Sequence, residues 1–367
     1  MGEGVHDVIP GSPVTLMPLS DGGEGLLDVL LPVLGGEIQR ARVAGPLPGQ
    51  TVEARWGFVQ SSRTAVLEMA EAAGIGLVSP QQRDPRVTTT LGVGQLVHCA
   101  LDRGARTLII GIGGSGTYDG GAGMAQALGV RLRDSAGDEL PPGGAALERL
   151  ASIDVAGVDP RIAGTTVLVA CDVRNPLTGP EGASAIFGPQ KGASPRDVAL
   201  LDAALTKYRE LLLETIHIDV QHVPGSGAAG GLGAGLVAFC GATLRSGIDL
   251  VLDQTGFDAA LAGVDLVVTG EGRIDAQTRY GKVLSGVLSR ARRRGIPVAA
   301  IVGDITGTQG DFVGPEGFLG LAALVGPETG MQEAMAQARH QVRKRTAQLI
   351  AQLIPHLNQQ RSDPHAP

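Results

Sequence analysis

Glycine clusters, most of them carrying acidic residues, define the chemistry this chain could perform. Four stand out: Ser20-Asp21-Gly22-Gly23-Glu24-Gly25, Gly111 to Gly123, Gly225 to Gly235, and Gly270-Glu271-Gly272-Arg273-Ile274-Asp275. Glycine lets a backbone approach a bound group closely and takes positive φ without strain, so such loops suit anion cradles. Carboxylates repel a bare phosphate but ligate a Mg2+ that travels with one. Together they point to a metal-bridged nucleotide. Tight turns and close helix packing are the plain alternative for any one cluster. Lys191, in Gly188-Pro189-Gln190-Lys191-Gly192, and Lys282, after Arg279-Tyr280-Gly281, follow polar or glycine-rich loops. Each could deliver an ammonium to phosphate oxygens as a point charge, or lie on the surface.

Other chemistries find little support. Gly111, Gly113 and Gly116 match G-x-G-x-x-G after an apolar run, but Gly225, Gly227 and Gly230 match it too, so the pattern discriminates poorly in this chain. Further glycines at 120, 121 and 123 would interrupt the helix a dinucleotide fold requires. The P-loop signature, the H-R-D motif, G-x-S-x-G, H-E-x-x-H and C-x-x-C are all absent from the sequence.

Composition sets the frame. The chain has 367 residues, 43% of them hydrophobic, which suits two domains better than one core. Its formal net charge of -7, with no long basic stripe, argues against a nucleic-acid partner. Three scattered cysteines, Cys99, Cys171 and Cys240, fit a reducing cytoplasm. No apolar run is long enough to span a bilayer, so a cytoplasmic protein away from membranes is expected.

Periodicity then places the clusters. Pro13 to Leu19 reads as a buried strand delivering the Ser20–Gly25 loop onto a helix from about Glu24 to Leu34. Three strands over 37–44, 51–59 and 63–69 have connections short enough for antiparallel pairing. Thr88-Thr89-Thr90 offers caps for a helix to about Asp102, and the 106–111 strand empties into the second cluster. The 167–170 strand ends at Asp172, where ligands of α/β proteins bind. Ser194-Pro195-Arg196-Asp197 opens a long amphipathic helix with Val198, Leu201, Leu205, Tyr208 and Leu212 on one face. Strands at 264–269, 298–302 and 319–325 alternate with helices at 283–293 and 331–354, arguing for a parallel sheet; residues 356–367 read as a frayed tail.

Read together, SDGGEG at Ser20, IGIGGSGTYDGGAGMAQALG at Ile110, ACDVRNPLTGPEGASAIFGPQKGA at Ala170, GSGAAGGLGAG at Gly225 and VVTGEGRIDAQTRYGK at Val267 closely resemble the class I bacterial glycerate kinases. The resemblance implies ATP-dependent phosphorylation of D-glycerate at the 2-hydroxyl, with Mg2+, by two unlike α/β domains flanking the active site. One would be a discontinuous flavodoxin-like domain (1–40 and 245–355). The other would be an inserted α+β domain of restriction-endonuclease type (41–244). On that alignment Lys191, Asp172, Asp275 and Lys282 are the candidate catalytic residues, and Asp172 and Glu271 the candidate metal ligands. Asp21, Glu24, Gly113, Gly114, Ser115, Asp119 and Arg273 are candidates for binding glycerate or nucleotide. Arg273 suits the glycerate carboxylate, which a guanidinium grips through two parallel hydrogen bonds.

The family opens with a strand and a loop like PDSFKGS, and this chain starts roughly 25 to 30 residues later, a span set by ordinary strand and helix lengths. Met1 to Ile9 is therefore expected to be a helix tail. Gly116-Thr117-Tyr118 and Val283-Leu284 also depart from the family's more usual Ala-Thr-Asn and Ala-Pro. A truncated relative that binds a small acid or nucleotide without turnover is the second reading, and a homo-oligomer is left open.

Overall fold

The computed structural model describes residues 1–275, 282–326 and 329–362 and divides into two compact units, Ser20–Val251 and Met1–Leu19 with Leu252–Pro367. Both are α/β, and the larger sheet is parallel over most of its width.

Eight strands belong to the larger unit: β1 Glu37–Ala44, β2 Thr51–Val59, β3 Thr64–Glu68, β4 Thr107–Gly111, β5 Arg131–Arg133, β6 Ser152–Asp154, β7 Thr166–Ala170 and β8 Thr243–Arg245. Six form one sheet in the order β1-β2-β3-β4-β7-β8, while β5 and β6 make a separate antiparallel pair. The β1-β2 and β2-β3 pairs are antiparallel, as their short connections require, and β3, β4, β7 and β8 run parallel. Apolar runs such as Leu108-Ile109-Ile110 are buried on both faces, the usual state of parallel strands covered by helices.

The smaller unit has a parallel sheet, β9 Val267–Asp275, β10 Val298–Thr306 and β11 Gly320–Ala323, in the order β11-β10-β9. The helix Ala338–Ser362 packs Leu349 and Leu353 against Ala299 and Ile301 of β10. The short helix Gly2–His6 lies against it through Arg343–Asp7 (2.6 Å) and Arg339–Glu3 (2.8 Å) ion pairs. Among the described residues no helix is long and apolar enough to cross a membrane.

Several expectations change. Pro13 to Leu19 is not a strand but irregular chain, with Leu16 75% exposed. Its two prolines carry no N–H for a ladder, and a buried strand would need both ladders filled. Residues 20–40 belong to the larger unit, because the Leu26–Leu34 helix buries Leu26, Leu27, Leu30 and Leu31 there. Gly270 to Asp275 is not a loop. It is the second half of β9, registered against Ile301 to Thr306 of β10. The chain from His356 does not fray at once, since helix continues through Pro355 to Ser362; residues 363–367 lie outside the described residues.

Candidate active site

Parallel pairing brings the last residues of four strands into one row across the larger sheet: Glu68, Gly111, Ala170 and Arg245 are successive register partners. From this carboxyl edge the chain enters the Gly111–Gly123 loop, Cys171-Asp172 and Ser246-Gly247. Ligands of open α/β sheets bind just beyond such edges.

The Ser20–Gly25 loop lies across that edge. Gly22 has φ +86, and a Cβ there would meet the Cβ of Ala170 at 2.5 Å and the Cα of Gly247 at 2.8 Å. A Cβ on Gly113 would fall 2.7 Å from the Cα of Gly23. Only glycine lets the first and second clusters touch backbone to backbone. The loop closes on itself: Asp21 Oδ1 accepts from the Gly23 amide (3.2 Å) and Ser20 Oγ from the Gly22 amide (3.1 Å). The Glu24 carboxylate faces Gly114. At the other end the buried Glu68 carboxylate accepts from the amides of Leu27 (2.7 Å) and Gly25 (3.1 Å). Burial pushes the Glu68 carboxyl above its usual range, and these two amides oppose the shift. Asp172 Oδ1 accepts from the Gly247 amide at 2.8 Å, which ties the β7 and β8 exits together.

Lys191 comes from the turn Pro189–Lys191, just ahead of the Pro195–Ile216 helix, whose Ser194-Asp197 capping box forms as expected. That helix drives Tyr208 against Gly120 and so carries the preceding turn under the second glycine cluster. Lys191 is 2% exposed. Its Nζ donates to Ser115 Oγ (2.7 Å) and the Thr117 carbonyl (2.9 Å), and sits 5.7 Å from the centre of the Tyr118 ring. The Tyr118 hydroxyl in turn donates to Ser184 Oγ at 2.7 Å. Lys191 is thus a buttress beneath Ser115 and Thr117 rather than an open cation. Burial lowers its pKa to about 7, with the charge of Asp119 pulling weakly the other way.

A pH signature follows. With a folded-state pKa below the ordinary lysine value of 10.5, the native state bears the full cost of the buried charge below about pH 7. It sheds that cost as pH rises, because between the two values the unfolded chain binds the extra proton. The unfolding free energy of wild type, measured relative to Lys191→Met by denaturant titration, is expected to rise by up to about 1.4 kcal/mol per pH unit between pH 7 and 10. A flat difference over that range would mean that Lys191 titrates normally.

Asp119 is fully buried, and its oxygens accept from the Thr90 amide (2.7 Å), the Thr90 hydroxyl (3.0 Å), the Thr89 hydroxyl (3.2 Å) and the amides of Gly121 (3.1 Å) and Gly123 (3.2 Å). Burial raises its pKa, and the Thr90, Gly123 and Gly121 bonds resist. Asp119 pins the glycine loop to the start of the Leu91–Asp102 helix. The third cluster packs against the second. Gly231 and Gly235 lie against Gly120 and Gly121, so glycines on both sides allow close helix packing.

In the smaller unit Glu271, Arg273 and Asp275 alternate along β9 and share one face with Asp304 and Thr306 of β10, their register partners at 273 and 275. Arg273 Nε and Nη2 both donate to Thr306 Oγ1, at 2.9 and 2.7 Å. Lys282 is exposed at the start of the Lys282–Arg292 helix, and the Arg279-Tyr280-Gly281 stretch before it lies outside the described residues.

The structure therefore gathers Asp21, Glu24, Gly113, Gly114, Ser115, Lys191 and Asp172 around one sheet edge of the larger unit, and sets Glu271, Arg273 and Asp275 on one strand face of the smaller. Sequence reading passed over Glu68, Asp304 and Thr306 and took Thr89 and Thr90 only as helix caps. Glu68 offered a signal: a carboxylate ends an otherwise apolar strand, Thr-Ala-Val-Leu-Glu.

The Glycerate kinase family profile matches residues 1–354. The Escherichia coli K12 protein named glycerate 2-kinase is 47% identical over 304 residues, covering 83% of this chain and 80% of the relative. The Bacillus subtilis 168 protein named glycerate kinase is 48% identical over 303 residues, covering 83% and 79%. A crystal structure from Salmonella typhimurium LT2, of a protein provisionally named glycerate kinase 2, superposes with a TM-score of 0.87 at 45% identity and covers 97% of this chain and 93% of that one. The match in fold extends over nearly the whole length and the family profile over residues 1–354: the chain belongs to the glycerate kinase family.

Proposed function

We propose that this protein transfers the γ-phosphoryl group of ATP to the 2-hydroxyl of D-glycerate, giving 2-phosphoglycerate and ADP in the cytoplasm. The observation that carries the reading is the paired glycine loop at the carboxyl edge of the larger sheet, held rigid from below by Lys191 and Asp119. Phosphoryl transfer asks little covalent chemistry of a protein; it asks for fixed donors around the phosphate and an aligned hydroxyl. The Gly113 to Ser115 backbone is the phosphate cradle in this proposal, and Arg273 takes the glycerate carboxylate. Because Nε and Nη2 of Arg273 already donate to Thr306, the substrate carboxylate would replace that hydroxyl or use Nη1. Asp275 and Lys282 are assigned to the acceptor hydroxyl and to phosphate charge.

Among the described residues no group of three or more His, Cys, Asp or Glu is placed to hold a metal by itself. That fits Mg2+, which binds through one or two carboxylates with phosphate oxygens and water supplying the rest. Asp172 and Glu271 are the carboxylates assigned to it. When bound, the ion would neutralise phosphate charge.

The direct test incubates purified protein with ATP, Mg2+ and D-glycerate and follows the products by 31P NMR. 2-Phosphoglycerate with matching ADP is the expected result. Formation of 3-phosphoglycerate alone would overturn the hydroxyl assignment. Glycerate binding without ATP consumption would favour a non-catalytic relative.

A further inference from the structure

We propose that Glu68 is a positioning residue for phosphoryl transfer, acting through the Ser20–Gly25 loop; this rests on the kinase reading above. Four observations converge on it. Glu68 closes β3 in the row Glu68-Gly111-Ala170-Arg245, from which the candidate ligand-facing loops depart. Its side chain is 4% exposed, yet among the described residues it forms no ion pair. Instead both carboxylate oxygens are engaged by main-chain amides more than 40 residues back in the chain, Oε1 by Leu27 and Oε2 by Gly25. Those amides bracket the exit of the loop that carries Asp21 and Glu24, while Gly22 fixes its entrance against Ala170 and Gly247.

Leaving a carboxylate in a dry sheet edge is costly, so its two charge-assisted bonds have to hold the loop firmly. The consequence reaches the second cluster. Gly23 touches Gly113, and Glu24 faces Gly114, so the path of the first loop sets the position of the Gly113–Ser115 cradle. A misplacement near 1 Å in such a cradle costs about a hundredfold in rate. A glutamate contributing to stability alone would leave the rate per folded molecule unchanged.

The test compares Glu68→Gln and Glu68→Asp with wild type by steady-state kinetics, each substrate varied in turn, at a temperature where thermal scans show every protein folded. Glu68→Gln keeps the size of the side chain but presents one acceptor where two are needed. Its kcat should fall about ten- to a hundredfold, with KM for D-glycerate within about threefold. Glu68→Asp keeps the charge on a shorter stem and should fall less. Turnover within twofold of wild type in both variants would overturn the proposal, even if both melt earlier. Amide hydrogen exchange supplies a readout independent of turnover, valid also should wild type phosphorylate no glycerate. In wild type the Leu27 amide should be as protected as the buried centre of its helix. Glu68→Gln, or Glu68→Asp if the former does not fold, should lose protection over residues 22–27 selectively. Exchange unchanged there, or raised equally throughout the larger unit, would reject a positioning role.

Discussion

Replacing Lys191 by methionine is expected to lower the turnover number about a hundredfold while leaving the unfolding free energy at pH 7 within about 2 kcal/mol of wild type. The two halves of that result have separate causes. The wild-type fold bears the cost of taking an amine out of water, evident in a pKa lowered to about 7. Methionine fills most of the same slot and removes that cost, at the expense of leaving the Thr117 carbonyl without its donor. Stability therefore changes little. Catalysis does not recover, because Ser115 and Thr117 lose the hydrogen bonds that fix the cradle, and the charge beneath it disappears. Lys191→Ala should lose the same rate and more stability, through the cavity it creates. Lys191→Arg should recover little: the slot leaves Lys191 only 2% exposed, and a larger planar guanidinium does not take the place of a compact ammonium there. The deciding measurement is kcat and KM for each substrate alongside denaturant unfolding. A surface-type lysine would show near-normal turnover in all three variants, and that outcome would remove Lys191 from the machinery.

Asp172→Asn and Glu271→Gln should each reduce turnover about a hundredfold at fixed Mg2+ and shift the half-saturating Mg2+ concentration upward. Asparagine keeps an acceptor oxygen for the Gly247 amide, so the joint between the β7 and β8 exits survives and the melting temperature should move little. Glu271 lies in the second half of β9, where register with β10 is fixed by the backbone, and glutamine preserves strand geometry. Rate measured against Mg2+ concentration, with thermal unfolding in parallel, separates loss of metal from loss of fold. Normal Mg2+ dependence in both variants would reduce these carboxylates to structural residues of the strand ends.

Patterns of apolar residues and local caps made much of the architecture legible. Strands at 37–44 and 51–59, the helix opened by Ser194-Pro195, and the alternating strands and helices after residue 264 follow from side-chain period and capping chemistry, which depend on neighbours in sequence. The glycine loops likewise marked themselves, because few residues other than glycine tolerate such backbone paths. What local pattern could not give is which glycines lie at the sheet edge. Gly113 and Gly235 look alike in sequence; packing puts one against the Ser20–Gly25 loop at the sheet edge and the other against the back of the second cluster.

Tertiary structure also decided the standing of the charged residues. Lys191 and Asp119 carry charges that a local reading places at a ligand, but both are buried, and they hold the loop from within. Pro13 to Leu19 has the apolar content of a strand without becoming one, since a strand exists only where another chain segment can accept its ladder. Glu68 stayed hidden for the same reason: its partners, Gly25 and Leu27, lie more than 40 residues away, and only the packing of the Leu26–Leu34 helix against β3 brings them within hydrogen-bond reach. The sequence by itself thus determined the α/β class, most of the elements and the residue types available for phosphoryl chemistry. Long-range pairing and burial decided which of those residues lie at the open edge of the sheet and which are buried beneath it.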